Sequence, residues 1–153
     1  MLLRVPPRHQ HKAFTCGPAS LQMVLAYFGR RETQKDLAAE MGTIPRYGTR
    51  RRALVRAARR RGLEVSFRSG ASLAYLAAWL RRGVPVLVSM RDDDNDPHYA
   101  VVIGRERGRV VYNDPWPGSG RRSLPAKEFL ERWRGWQARF GRRWLMAARP
   151  RKN

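Results

Sequence analysis

The chain contains a single cysteine, Cys16, at a position that suits a nucleophile. Thr15 and Pro18 predict that a helix begins here, because Thr is a good N-cap and Pro fits the first helical turn. The unpaired N–H groups and the positive end of the helix dipole favour the thiolate, which is the reactive form of cysteine. Since one cysteine cannot form an internal disulfide, two interpretations remain, a small buried apolar residue or a reactive thiol.

A histidine and an aspartate are predicted to lie close together in space. His98 opens an apolar strand, and a turn near 106–107 pairs it with residues close to 115, which brings Asp114 near the imidazole. A carboxylate beside an imidazole fixes its tautomer and stabilises the imidazolium. The alternative is that His98 is a polar strand end and that Asp114 begins a turn with Pro115.

An amide side chain, Gln10, lies six residues before the cysteine. It can donate a hydrogen bond to a developing oxyanion, together with the backbone N–H of Cys16. His9 and His11 flank it, but His-x-His with one distant cysteine matches no standard zinc spacing. We therefore expect neither a metal nor another cofactor.

The elements that must position these residues follow from periodicity. Helical patterns predict helices that begin near residues 16, 33, 49, 72 and 125 and end near 29, 42, 62, 83 and 133. Extended patterns predict strands over 63–67, 85–90, 98–104, 109–113 and 144–148, with a loop over 115–120. This order predicts an α+β fold in one domain over 1–153, with N-terminal helices packed on a C-terminal, mostly antiparallel sheet. Residues 150–153 are expected to form a frayed tail.

The composition gives a net charge of +20, from 32 basic and 12 acidic residues. Such a chain attracts anionic partners, among which are nucleic acid, an acidic peptide and a membrane surface. The longest apolar run, from Leu73 to Leu80, is too short to cross a bilayer, and the N-terminus lacks the apolar segment of a secretory signal. We expect a cytoplasmic protein without a transmembrane segment.

One acidic loop stands out against this basic background. Residues 91–97 contain four of the twelve acidic residues, but Pro97 and Ile103 occupy the positions where a calcium-binding EF-hand needs Gly and Glu. We interpret the loop as a flexible flap near His98 that contacts arginines or substrate. The alternative is an ordinary solvated loop.

The segment from Gln10 to Gly29, QHKAFTCGPASLQMVLAYFG, resembles the opening of the bacteriocin-processing, double-glycine leader peptidases. These are papain-like cysteine peptidases, often found at the front of peptide-exporting ABC transporters. The segment HYAVVIG (98–104) resembles their histidine strand, and Asn113-Asp114-Pro115 followed by Gly118 resembles their Asp-Pro motif. Residues 129–133, then Gly135, resemble the closing helix, so the resemblance covers nearly the whole chain.

The resemblance implies a role for each matched residue. Cys16 would attack the scissile carbonyl, His98 would transfer the proton, Asp114 would orient His98, and Gln10 would help to form the oxyanion hole. The chain departs from the family pattern at Thr15, where Asp is frequent, and at Ser20, where a second Cys is common. Neither change affects the predicted chemistry.

Substrate and partners are also expectations at this point. Trp116 follows Asp114 and Tyr99 follows His98, and we predict that both contact substrate. The resemblance implies a precursor peptide cut after a Gly-Gly type site, with an acidic, amphipathic leader helix drawn by the positive charge. It also implies a peptide-export ABC transporter as a candidate partner.

Other functions remain open. The charge and the arginine-rich stretch 50–61 suit a nucleic-acid- or acidic-peptide-binding protein on the same scaffold, although the site residues make nucleic acid the weaker choice. A catalytically silent peptide-binding domain would lack some of the four matched positions. A transglutaminase-like or deamidating reaction is compatible with the same Cys-His-Asp set.

Overall fold

The computed structural model of the protein describes residues 1–134 and 142–152, which form five helices and six strands. Gly135 of the predicted closing motif lies outside the described residues. The helices are α1 (Cys16–Tyr27), α2 (Gln34–Glu40), α3 (Arg51–Arg60), α4 (Leu73–Arg81) and α5 (Ala126–Arg132). The strands are β1 (Leu63–Arg68), β2 (Val86–Arg91), β3 (Pro97–Glu106), β4 (Arg109–Asp114), β5 (Gly120–Pro125) and β6 (Leu145–Pro150).

Two helices begin with side-chain caps at the positions, 33 and 72, where the sequence predicts helix starts. The Thr33 hydroxyl accepts a hydrogen bond from the N–H of Asp36 at the start of α2, and Ser72 does the same for Tyr75 in α4. The helix α3 begins at Arg51, two residues after the start predicted near 49, and Thr49 does not cap it. Arg50 is the N-cap, and the buried Thr49 side chain instead pairs with another threonine at a hydroxyl–hydroxyl distance of 2.7 Å.

All six strands join one antiparallel sheet, in the order β1-β6-β2-β3-β4-β5. The strand β5 was missed, because its sequence GRRSLP has no alternation of apolar and polar residues. It pairs with β4 along its whole length, from Arg109 opposite Pro125 to Asp114 opposite Gly120. Its place in the fold therefore comes from backbone pairing rather than from an apolar face.

The sheet is covered on both faces, which explains why its strands read as nearly continuous apolar runs. Leu87, Val101 and Met146 pack into a core beneath α1, α2 and α3. Their neighbours on the same strands, such as Val86 and Val102, face a second core that α4 and α5 complete. The predicted α+β architecture is confirmed, and helices on the second face complete it.

The N-terminal residues lie along the sheet before they reach the segment around Gln10. Leu2 bridges to Gly104 of β3, and the side-chain amide of Asn113 donates to the carbonyl of Val5 at 3.1 Å. No helix among the described residues combines the length and apolar character needed to span a bilayer.

Candidate active site

Cys16 is the first residue of α1 and remains partly exposed, whereas Gly17 and Pro18 behind it are buried. Gly17 lets this helix end approach α3 closely. A Cβ on Gly17 would lie 2.6 Å from the hydroxyl oxygen of Thr49 and 2.7 Å from its Cβ. Because Gly17 has no side chain, the start of α1, and with it Cys16, can lie close to Thr49.

The strands β3 and β4 bring the histidine and the aspartate together. Val101 pairs with Asn113, and this register places Asp114 Oδ1 2.7 Å from His98 Nε2, as the hairpin pairing predicts. Both side chains are buried. The same Oδ1 accepts the backbone N–H of Trp116 at 2.9 Å, so the carboxylate is held from a second side.

The ionisation of His98 depends on both of its neighbours. Burial lowers its pKa, but hydrogen bonds with Asp114 and Cys16 and the negative charges of both groups outweigh burial and raise the pKa from 6.5 to about 10. Because Nε2 faces Asp114, Nδ1 is the nitrogen left to face the sulfur. With its pKa near 10, His98 is an imidazolium at neutral pH, held between Asp114 and Cys16.

The pKa of Asp114 shifts in the opposite direction. Burial raises the pKa of this carboxyl, yet the hydrogen bond and charge of His98, together with the N–H of Trp116, hold it below its usual value. Arg122 on β5 adds a further positive charge, with Nη1 3.4 Å from Asp114 Oδ2. Sequence reasoning missed Arg122, because β5 carries no signal that would identify it as a strand beside β4.

A cavity of about 620 Å³ opens onto Cys16 and His98. Tyr99 lines it and donates from its hydroxyl to the carbonyl of Thr49 at 2.8 Å, and burial raises the pKa of this phenol. The segment 45–52, which includes the start of α3, also lines much of the cavity. Trp116 is 48% exposed and does not line this cavity, so its contact with substrate stays a prediction.

Gln10 is buried in the segment that precedes α1, with 2% of its surface exposed. Its Nε2 donates to the carbonyls of Lys12 at 2.9 Å and Ala13 at 3.0 Å, and its backbone N–H donates to Pro115 at 2.7 Å. Its Oε1 has no hydrogen-bond partner among the described residues. Gln10 thus lies next to both the start of α1 and the Asp114 turn, but it does not line the cavity.

The acidic loop 91–97 contacts arginines, as one of its interpretations predicts. Asp93 Oδ1 accepts from Arg132 at 2.6 Å and from Arg122 at 3.0 Å, and these hydrogen bonds lower the pKa of Asp93. Asp92 Oδ1 accepts the backbone N–H groups of Asp94 and Asp96, both at 2.9 Å. Within residues 1–134 and 142–152, no cluster of three or more His, Cys, Asp or Glu could hold a metal ion.

Comparison with known proteins matches residues 2–139 to the model of the Peptidase_C39 like family. Among curated proteins, the chain is 29% identical over 120 residues to the lactococcin-A transport/processing ATP-binding protein LcnC of Lactococcus lactis subsp. lactis, covering 78% of this chain and 16% of that protein. It is 30% identical over 130 residues to the transport/processing ATP-binding protein ComA of Streptococcus pneumoniae, covering 84% of this chain and 17% of ComA. The chain thus spans about a sixth of the length of these relatives.

Solved structures share the fold. The peptidase domain of Streptococcus ComA superposes with a TM-score of 0.81 at 22% identity, over 97% of this chain and 100% of that domain. A double glycine motif protease from an AMS/PCAT transporter, crystallised with a leader peptide, gives a TM-score of 0.73 at 26% identity, over 98% of this chain and 94% of that one. The family match over residues 2–139 confirms the resemblance found in the sequence: the chain belongs to the Peptidase_C39 like family of cysteine peptidases.

Proposed function

We propose that the protein is a cysteine endopeptidase that cleaves a precursor peptide after a Gly-Gly type site, with Cys16 as nucleophile, His98 as acid and base, and Asp114 as the group that orients His98. The observation that carries this proposal is the contact from Cys16 through His98 to Asp114, with Cys16 and His98 at the wall of one cavity. Membership of a cysteine peptidase family supports the same assignment.

The reaction follows from this arrangement. The Cys16 thiolate attacks the scissile carbonyl carbon, and the oxygen becomes an oxyanion near the N–H groups at the start of α1. The His98 imidazolium gives its proton to the leaving amine as the C–N bond breaks, which leaves a thioester on Cys16. His98, now neutral, takes a proton from water as the water attacks the thioester, and the acid product and the thiolate are released.

Gln10 is the proposed second donor to the oxyanion. Its amide lies at the start of α1, but Nε2 already donates to the carbonyls of Lys12 and Ala13. Donation to an oxyanion therefore requires one of these hydrogen bonds to exchange. Loss of one such donor lowers kcat by about 10²- to 10³-fold in proteases of this general type.

The proposed substrate is a leader-bearing precursor. The AMS/PCAT relative, a double glycine motif protease crystallised in complex with a leader peptide, supports this assignment at 26% identity. Tyr99, at the cavity wall, is the proposed contact for the small residues before the cut, and Trp116 for a position next to it. We further propose a peptide-export ABC transporter as partner, since the curated relatives are transport/processing ATP-binding proteins.

The leader is proposed to be an acidic amphipathic helix. A second cavity of about 700 Å³ adjoins the first, and Arg51 and Arg52 line both. It is bordered further along by Arg56 and Arg59, with the half-exposed Phe67 as an apolar surface. A reducing compartment such as the cytoplasm would keep Cys16 available as a thiol.

The direct test is incubation with a synthetic Gly-Gly leader peptide, comparing wild type with Cys16→Ala by mass spectrometry. Wild type is expected to give a single cut after Gly-Gly, and Cys16→Ala none. Labelling with iodoacetamide tests the nucleophile separately, because a reactive thiolate is alkylated faster than a free cysteine. A wild type that labels rapidly but leaves every Gly-Gly leader intact would contradict the specificity and leave the nucleophile assignment standing.

A second candidate function is binding of nucleic acid, favoured by the arginines along the second cavity. Binding of single-stranded DNA that weakens steeply with salt and survives Cys16→Ala would support it.

A further inference from the structure

Gln34, the first residue of α2, holds the backbone on both sides of Gln10. Its Nε2 donates to the carbonyl of His9 at 2.7 Å, and its Oε1 accepts the N–H of His11 at 3.1 Å. One primary amide therefore fixes the residues immediately before and after Gln10. The contact joins residues 23 and 25 positions apart in the sequence.

The Gln34 amide is itself firmly held. It is buried, with 4% of its surface exposed, and its second N–H donates to Gln22 Oε1 of α1 at 3.1 Å. Gln22 in turn donates to the carbonyl of Glu32 at 2.9 Å. The start of α2 is fixed by the Thr33 cap on Asp36. These hydrogen bonds of Gln34, which we call the clamp, tie residues 9–11 to α1 and α2. Residues 9–11 themselves belong to neither helix nor strand.

The clamped segment lies beside the reacting groups. The N–H of Gln10 donates to Pro115, directly after Asp114, while the Gln10 side chain donates to the carbonyls of Lys12 and Ala13 before α1. Gln34 ties this segment to α2 through its contacts with His9 and His11. Displacement of a catalytic donor by about 1 Å can lower the rate by about 10²-fold, so the clamp has a direct consequence for an oxyanion donor.

We propose that Gln34 is a positioning residue, which holds Gln10 where its amide can donate to the oxyanion. This inference rests on the proposed function, and it deepens it by naming what sets the geometry of the oxyanion donor. Gln34 does not touch substrate, so its effect must pass through Gln10.

The test is a double-mutant cycle with Gln34→Met, which keeps the volume of the side chain and removes its hydrogen bonds, and Gln10→Ala. Gln34→Met is expected to lower kcat by about 10- to 100-fold with KM unchanged. In the Gln10→Ala background it should change kcat by less than about twofold, because the group it positions is gone. Cys16 alkylation, which also counts folded active sites, should match wild type in every variant.

Gln22→Met is the matched control. It removes the same kind of amide from the same network but leaves both backbone contacts of Gln34 in place, so it should lower kcat clearly less than Gln34→Met does. Gln34→Glu is the second variant. Its carboxylate can accept from His11 but cannot donate to His9, so its kcat relative to wild type should rise as pH falls and the carboxyl gains a proton.

Three results would overturn the inference: wild-type kcat in Gln34→Met, a loss that multiplies with that of Gln10→Ala, or a loss confined to KM. A wild type that leaves the leader intact would contradict the proposed function instead. In that case the same cycle run on p-nitrophenyl acetate, an acyl substrate without a leader, still decides the role of Gln34, because its hydrolysis also forms an oxyanion.

Discussion

At the scale of single residues, His98 shows two opposing effects whose balance decides its charge. Burial disfavours the imidazolium, whereas the Asp114 carboxylate at 2.7 Å and the charge on Cys16 favour it, and together they raise the pKa to about 10. The sequence predicts the Asp114 partner, because the hairpin turn fixes which residues face each other. It does not predict Arg122, which approaches the other oxygen of the same carboxylate.

Replacement of Asp114 by Asn tests this balance. Asn keeps a hydrogen-bonding group but removes the negative charge, so the pKa of His98 should fall from about 10 towards its ordinary range. Because the leaving amine needs the imidazolium proton, activity is lost as pH rises through the pKa of His98, and this upper limit should move to lower pH in the variant. The pH profile of kcat/KM and the NMR titration of His98 are the measurements.

Asp94→Asn serves as the control for that substitution. Asp94 is an exposed carboxylate in the neighbouring loop, so its removal changes the net charge equally without touching His98. An upper limit that stays in place in Asp114→Asn, or moves as far in Asp94→Asn, would contradict the assigned role of Asp114.

At the scale of elements, the junction between α1 and α3 decides where the nucleophile stands. Helical periodicity and the Cys-Gly-Pro sequence locate the start of α1, and apolar runs locate the strands β2, β3 and β4. The contact of Gly17 with Thr49 could not be predicted, because the sequence pattern of each segment gives no information about which other segment it packs against. The strand β5 was missed for a related reason. It is held by backbone pairing with β4, and its side chains show no alternation of apolar and polar residues that would identify a strand.

Gly17→Ala is expected to disturb this junction. The added Cβ would overlap the Thr49 side chain, so α1 or Thr49 must shift, with a loss of about 1–3 kcal/mol in unfolding free energy. Because Cys16 adjoins the substitution, kcat should fall as well. Thermal unfolding and steady-state kinetics are the two measurements.

Gly104→Ala is the matched comparison. Its Cβ would lie 2.6 Å from the Leu2 side chain, a similar overlap, but six residues along β3 from His98, roughly 20 Å away. It should lose stability while kcat per folded molecule stays near wild type. Equal losses of kcat in the two variants would show that the junction has no special role in placing Cys16.

At the scale of the whole molecule, the basic residues that give the net charge of +20 lie in different electrostatic surroundings. Arg122 and Arg132 form ion pairs with Asp93 of the acidic loop, whereas the arginines of α3 line a surface cavity that adjoins the active-site cavity. The sequence indicates an anionic partner from charge alone. Only the fold shows that the basic helix and the nucleophile border adjoining cavities.

The ionic strength of the solution should therefore affect cleavage of an acidic leader. KM is expected to rise steeply with salt, because exposed charges are screened within about 8 Å at 0.15 M. The double variant Arg56→Glu/Arg59→Glu should raise KM at low salt and flatten the salt dependence, with kcat unchanged. Steady-state kinetics on an acidic leader, from low to high salt, measure both effects.

The control variant is Arg105→Glu/Arg107→Glu, at the exposed turn between β3 and β4. It changes the net charge by the same amount at positions that line neither cavity, so its KM should differ little from wild type. Equal effects of the two double variants would show that net charge, rather than the α3 surface, attracts the leader.

The sequence by itself determined the features that local rules specify. These are a cysteine at the start of a helix, a histidine at the start of a strand, an aspartate near it across a hairpin, and apolar runs that build a sheet. The tertiary structure alone decided the contacts between distant segments, such as Gln34 around Gln10, Thr49 against Gly17 and Arg122 beside Asp114. The physical reason is that periodicity and capping depend on neighbours in the chain, whereas these contacts depend on which faces of different elements meet.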